Sequence, residues 1–549
     1  MLIRLVFLLL LLTGCTTKQV QFSGGAVAAD HQLASEAGVR ILKEGGNAVD
    51  AAVATSFTLS VVRPFSCGIG GGGFMLIHPR NSPPIALNYR ETAPDEVGAM
   101  FYQTHNSRVG SYAVGVPGTV AGLLAAHERY GRLPLAQVMA PAIEIARGGF
   151  FPDDAYRSGV KSAKRALGRV PEALQEIVKA MQRFATNEKL TLLGQGDVLE
   201  AIAQHGTDAF YTGDVARAIV ASTHNHITLK DLLHYRPRWE KPLVVEIGDG
   251  VSIVSMPPPS SGGIALAQIL SILQRVGATS LDRDDPLYSH LLVESMKHAF
   301  ADRAEFLADA AFVDVPVGAL LSEKYLDELA SRIQNESTAA SWAYGSALQQ
   351  PDDAGTSHLC VVDSDGMVVA VTETINTSFG SQVLVEPYDF VLNNEMDDFS
   401  PPTGTNVYGL QQSDKNLPQA GKRPLSSMSP TIVLRDGIPI FVVGASGGPR
   451  IISGVVQVIL NCVWYGDEPL EGVSRPRLHH QWKPNKLYFE ESWINQLTSD
   501  SLIAKGHVID KRTTVGVVQA IAIEGNILKP ASDPRKGGVS CGFNLLRVN

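Results

Sequence analysis

Five cysteines in 549 residues, at positions 15, 67, 360, 462 and 541, are too few and too widely spaced for a disulfide framework. No CxxC or HxxxH pair occurs, so the usual ligand spacing of a metal site is missing. The adjacent His479 and His480 would point apart on a helix or a strand, and they read as structural. Charged residues make up 18%, the net charge is −9, and there is no long basic block, which leaves nucleic-acid binding without support. No internal repeat is visible. The longest apolar run is too short to span a bilayer as a mature helix.

That run lies in MLIRLVFLLLLLTGC. Arg4 followed by Leu5 to Leu12 reads as a secretory signal. Its end, Leu12-Thr13-Gly14-Cys15, resembles a bacterial lipobox, in which cleavage before the cysteine leaves it to carry lipid. The expectation is a signal over 1–14, lipid on Cys15, a polar tether over 15–24, and an extracytoplasmic, periplasm-facing lipoprotein held at a membrane.

The remainder is 45% hydrophobic and long enough for two ordinary domains or one large composite one. Helical spacing predicts a helix from about residue 31 that stops at Gly45-Gly46, and a second, largely buried one after Asn47. CGIGGGGFMLIHP follows as a glycine turn running into a strand. Residues 119–210 and 284–333 read as mostly helix. The stretch 333–355 is small, polar and aperiodic and reads as an exposed linker. Beyond it the pattern turns to strands. SHLCVVDS and MVVAVTETI flank Asp365-Gly366 as a hairpin, and FVLNN, TIVLRDG-IPIFVVG and VVQAIAIEGN-ILKPAS continue the β pattern.

Three motifs compete for the chemistry. Gly68 to Gly73 satisfies GxGxxG, but helix precedes it and strand follows, the reverse of the dinucleotide arrangement. No cofactor is called for. Gly444-Ala445-Ser446-Gly447-Gly448 satisfies GxSxG between strand and helix, with Asp467 and His479 following in the order of a hydrolase triad. The alternating βα units of that fold are absent upstream. Alternatively, the backbone N–H groups of Gly447 and Gly448 at a helix start can hold an oxyanion. The third motif is the linker–strand junction at Gly355-Thr356. Cutting that peptide bond would free the α-amino group of Thr356, whose reference pKa of about 8 makes it a base beside its own hydroxyl.

Motifs in order along the chain carry a resemblance. They include GGNAVDAAVA at 45–54, GIGGGGF at 68–74, YRETAP at 89–94, GVPGTVAG at 115–122 and GTSHLCVVD at 355–363. TINTSFGS at 374–381, LNNEMDDFS at 392–400, RPLSSMSPT at 423–431, GASGGPRI at 444–451, PRLHHQW at 476–482 and ASDPRKGG at 531–538 follow. From about 25 to 540 the sequence resembles the γ-glutamyltranspeptidase (glutathione hydrolase) family of N-terminal-nucleophile hydrolases. The resemblance implies an α/β (α+β) fold, a four-layer αββα sandwich. It implies self-cleavage between Gly355 and Thr356 into a large subunit, 25–355, and a small one, 356–549, that remain a heterodimer.

By the same resemblance Thr356 is the nucleophile and Thr374 bonds to it. Arg90, Ser426 and Ser427 take a substrate α-carboxylate, while Asn376, Glu395 and Asp398 take its α-ammonium. Gly447 and Gly448 form the oxyanion hole, and Tyr408 covers the site from a lid over 399–416. Ser357 and Ser378 stand where threonine is common in the family, and Cys360, on the nucleophile's face of its strand, reads as packing. The implied activity takes γ-glutamyl donors such as glutathione and passes the acyl group to water, amino acids or peptides. The alternatives are a cephalosporin (glutaryl) acylase or poly-γ-glutamate depolymerase on the same fold and, outside it, a Ser446 hydrolase or an unprocessed binding lipoprotein.

Overall fold

A computed structural model describes residues 19–168, 178–344, 355–400, 413–490, 496–512 and 514–545. Cys15, Tyr408 and most of the lid segment lie outside the described residues. Two antiparallel sheets lie face to face. The first has seven strands in the order Val539–Phe543, Gly25–Ala29, Ser357–Asp363, Val368–Thr374, Gly72–His78, Ile85–Asn88 and Arg238–Glu240. The second has six: Ile527–Ser532, Val517–Glu524, Ile438–Ser446, Thr431–Arg435, Val251–Ser255 and Leu243–Glu246.

Alternation along the strand Ser357–Asp363 shows how the layers form. Leu359 and Val361 face a helical layer, whereas Cys360 and Val362 face the second sheet. Both faces are covered, so the strand is buried from end to end. The helical layer on its outer side includes Gln32–Lys43 and Ala48–Val62. In the latter, Asn47 and Asp50 form a reciprocal cap, and a small-residue face brings the helix close to the nucleophile strand. Helices Gly262–Arg275, Pro286–Phe306 and Arg450–Ile459 share the core of the second sheet. The architecture is the αββα sandwich.

The hairpin at Asp365-Gly366 is present, with Ser357 opposite Glu373 and Val362 opposite Val368. The separation into early helix and late strand does not hold at the edges. Gly25–Ala29, Arg238–Glu240, Leu243–Glu246 and Val251–Ser255 all precede the linker and complete the two sheets. Gly25–Ala29 reads GAVAA, with one β-branched residue, and its pairing comes from strands more than three hundred residues away. The FVLNN segment gives only the two-residue strand Phe390–Val391.

Two boundaries shift. The tether is pinned before Gly25, because Phe22 exchanges backbone hydrogen bonds with Leu528 and Gln19 donates to the Pro530 carbonyl at 2.9 Å. The linker is exposed from Gln334 to Ser337, but Tyr344 is buried and its hydroxyl donates to Glu294. Its aromatic ring gives this polar stretch a docking point on the helix Pro286–Phe306.

Candidate active site

Thr356 immediately precedes the strand Ser357–Asp363 and is buried. Its hydroxyl donates to the carbonyl of Gly355 and lies 3.2 Å from the Thr374 hydroxyl, which itself donates to the same carbonyl at 2.8 Å. The antiparallel hairpin creates this meeting, since Thr374 closes the partner strand beside Ser357. Two hydroxyls therefore converge on the peptide carbonyl between Gly355 and Thr356. Side-chain space at Gly355 is absent: an added Cβ would stand 2.7 Å from the carbonyl oxygens of Asn376 and Thr377.

Asn376 follows Thr374 in a left-handed conformation, φ 73°, which asparagine tolerates better than most residues. Its N–H donates to the Thr374 hydroxyl at 2.8 Å and its amide to the Asn394 carbonyl at 3.0 Å. The site thus gains a fixed backbone at a locally strained residue.

A small cleft opens beside Thr356. Arg90, Arg303, Thr374, Asn376, Glu395 and Asp398 line it, with Ser426, Ser427 and Gly448. Nine of the ten residues assigned to catalysis and substrate binding thus meet in one place, and Gly447 adjoins. Gly447 and Gly448 have φ of 128° and 56°, the region open to glycine, and make the turn from the strand Ile438–Ser446 into the helix Arg450–Ile459.

Arg90 is fully buried and heavily bonded. Nη1 reaches Glu395 at 2.5 Å, Nη2 reaches Asp398 at 2.6 Å, Nε donates to the Pro424 carbonyl at 2.7 Å and Nη2 to that of Leu425 at 3.1 Å. Burial pushes the carboxyl of Glu395 up to about 8 and raises that of Asp398, while Arg90 draws both the other way. The Ser426–Ser427 turn is held from behind, where Ser261 donates its N–H and its hydroxyl to the Ser426 carbonyl.

The rival motifs are not assembled. Ser446 ends a buried strand, but His479 bonds to Ser453 and Gln481, and Asp467 to Arg283 and Arg475. Gly70 and Gly71 press against the backbone of Val391 and Thr374, so the GxGxxG run is a packed turn against the nucleophile hairpin.

Sequence reasoning gave no role to Lys536, Ser66, Glu91 or Arg303. Lys536 Nζ donates to the Thr356 carbonyl at 2.6 Å and to Asp30 and Ser66, and Ser66 donates to that same carbonyl at 3.2 Å. Lys536 and Glu91 stood inside quoted motifs, ASDPRKGG and YRETAP, but nothing in one dimension tied them to Thr356 or to the cleft. Glu91 is buried 4.0 Å from Arg90, and burial raises its carboxyl well above the usual range.

An αββα sandwich in which an inner strand is immediately preceded by a threonine poised on its own preceding carbonyl defines an N-terminal-nucleophile hydrolase. The chain belongs to the gamma-glutamyltranspeptidase family, whose model matches residues 34–543. It is 38% identical to a glutathione hydrolase proenzyme of Escherichia coli K12, over 94% of this chain and 91% of that one. It is 40% identical to glutathione hydrolase 2 of Arabidopsis thaliana, covering 94% of each. Among solved structures, a cephalosporin acylase from Bacillus halodurans aligns with a TM-score of 0.85 at 26% identity, over 96% of this chain and 97% of that one. A gamma-glutamyltranspeptidase from Pseudomonas nitroreducens complexed with L-DON aligns with a TM-score of 0.55 at 36% identity, over 59% of this chain and 98% of that chain.

Proposed function

We propose that this protein is a γ-glutamyltransferase and glutathione hydrolase that matures by cutting itself before Thr356. The observation that carries the reading is the convergence of Thr356, Thr374 and the Gly355 carbonyl at the mouth of a cleft holding Arg90, Glu395 and Asp398. In maturation the Thr356 hydroxyl attacks the Gly355 carbonyl carbon. The C–N bond breaks, the nitrogen takes the proton, and an ester joins Gly355 to Thr356 Oγ1. Water then cleaves the ester, leaving a carboxylate on Gly355 and a free amine on Thr356. Support comes from relatives named as proenzymes and from the Pseudomonas chain, which matches only 59% of this one while being covered almost entirely itself.

In the mature enzyme the α-amine of Thr356 removes the hydroxyl proton as Oγ1 attacks the γ-carbonyl of the donor. Backbone N–H groups at Gly447 and Gly448 hold the oxyanion, the amine leaves, and the γ-glutamyl ester passes to water or to an acceptor amine. A zwitterionic donor enters the internal ion pairs by exchange. Its ammonium takes up Glu395 and Asp398 with Asn376, and its carboxylate takes up Arg90 with Ser426 and Ser427, so no charge is left unpaired. Glutathione should yield glutamate and cysteinylglycine, and adding glycylglycine should divert part of the glutamate into a γ-glutamyl peptide. Failure to consume glutathione by a fully two-banded preparation would overturn the reading.

The lipid anchor and extracytoplasmic location belong to the same proposal, supported by LTGC after the apolar run. No helix among the described residues is long and apolar enough to cross a membrane. Cys15→Ser should move the protein from the membrane fraction to the soluble extracytoplasmic fraction with specific activity kept. A wild-type protein already fully soluble there would refute the anchor.

A further inference from the structure

The cleft holds two guanidinium groups, and they are bonded very differently. Arg90 spends its donors on two carboxylates and two carbonyls. Arg303, near the end of the buried helix Pro286–Phe306, is 2% exposed and makes no ion pair within 4.0 Å among the described residues. Its Nε donates to the Ser261 hydroxyl at 3.0 Å, its Nη2 makes a long 3.5 Å contact with the Ser427 hydroxyl, and its buried Nη1 has no hydrogen-bond partner there. A buried guanidinium nitrogen without a partner is costly unless a ligand completes it. Burial lowers the Arg303 guanidinium to about 10, with Asp398 opposing, so it remains charged at neutral pH.

The charges of the cleft give the same answer. Within the cleft Glu395 and Asp398 stand with Arg90 and Arg303, two acidic side chains and two basic ones, and a neutral zwitterion can bind there by exchanging partners. Removing Arg303 would leave Arg90, already bonded to Glu395 and Asp398, as the remaining guanidinium lining the cleft to attract an incoming carboxylate. Through Ser261, which accepts from Arg303 and donates to the Ser426 carbonyl, the arginine is also tied to the turn that presents Ser426 and Ser427.

We propose that Arg303 is a specificity-determining residue whose free guanidinium edge, with the Ser427 hydroxyl, binds the α-carboxylate of the donor alongside Arg90. The proposal rests on the γ-glutamyl reading above. It adds a second arginine, from the large-subunit part of the chain, to the carboxylate end of the site.

The test pairs γ-glutamyl-p-nitroanilide with 4-aminobutyryl-p-nitroanilide, which keeps the ammonium and lacks only the carboxylate. Arg303→Met should lower kcat/KM for the first roughly 30-fold or more and change the second less than about threefold. Arg303→Lys, which keeps the charge, should recover part of the loss, and it serves as the test variant if the methionine form does not fold and process. Equal losses on both donors, or none on either, would overturn the role. Calorimetry with L-glutamate and 4-aminobutyrate gives a second measurement. The variants should lose affinity for glutamate alone, and an unchanged glutamate affinity would also overturn it. A wild type that binds glutamate in an Arg303-dependent way but turns over neither donor would instead sink the γ-glutamyl transfer reading and leave the arginine site standing.

Discussion

Thr356→Ala should run on a denaturing gel as one uncut chain and show no turnover of γ-glutamyl-p-nitroanilide, a loss of at least about 10⁴-fold. One atom accounts for both defects. Oγ1 is the group set on the Gly355 carbonyl, with Thr374 polarising that carbonyl at 2.8 Å. Without cleavage the α-nitrogen also stays an amide, so the base is lost with the nucleophile. Thr356→Ser keeps the hydroxyl but loses the methyl that restricts its rotamer, and it should cut slowly and retain partial activity. N-terminal sequencing of the smaller wild-type band should begin Thr-Ser-His-Leu. An uncut Thr356→Ala chain with normal turnover would refute the mechanism.

Asp398→Ala should remove most activity on γ-glutamyl-p-nitroanilide and narrow its advantage over glutaryl-p-nitroanilide, which retains the carboxylate and lacks the ammonium. In wild type the carboxylates of Glu395 and Asp398 are buried, and a glutaryl donor that takes Arg90 from them offers no cation in return. Leaving a buried carboxylate without a partner costs about 3 kcal/mol, so the preference for the γ-glutamyl donor should reach roughly a hundredfold in kcat/KM. Arg90→Ala should depress both donors, because both carry the carboxylate. The comparison also decides between this activity and that named for the Bacillus halodurans acylase, which shares the fold at 26% identity. A wild type that uses both anilides equally well would show that the ammonium clamp is misassigned and favour the acylase.

The sequence alone carried the buried small-residue helix after Asn47, the hairpin at Asp365-Gly366 and the composition that speaks against nucleic-acid binding. Each is a local pattern: a cap, a turn dipeptide, a count of charges. The ordered motifs extended this to the family and to ten residues that line or adjoin one cleft. What sequence left open is what depends on distance through space. GAVAA at 25–29 becomes an interior strand because strands more than three hundred residues away pair with both its edges. Tyr344, in a segment that reads as linker, is buried because Glu294 waits on a distant helix. GxSxG loses its triad because His479 and Asp467 are bonded elsewhere. Lys536 reaches the nucleophile's carbonyl across 180 residues. Arg303, which in HAFADRAEFL looks like one more charged position on a helix, lies buried in the cleft without a counter-ion within 4.0 Å among the described residues. Propensity and spacing act over a few residues and determine local elements, whereas burial and charge balance are properties of the packed interior, and only the tertiary structure decided which charges meet there.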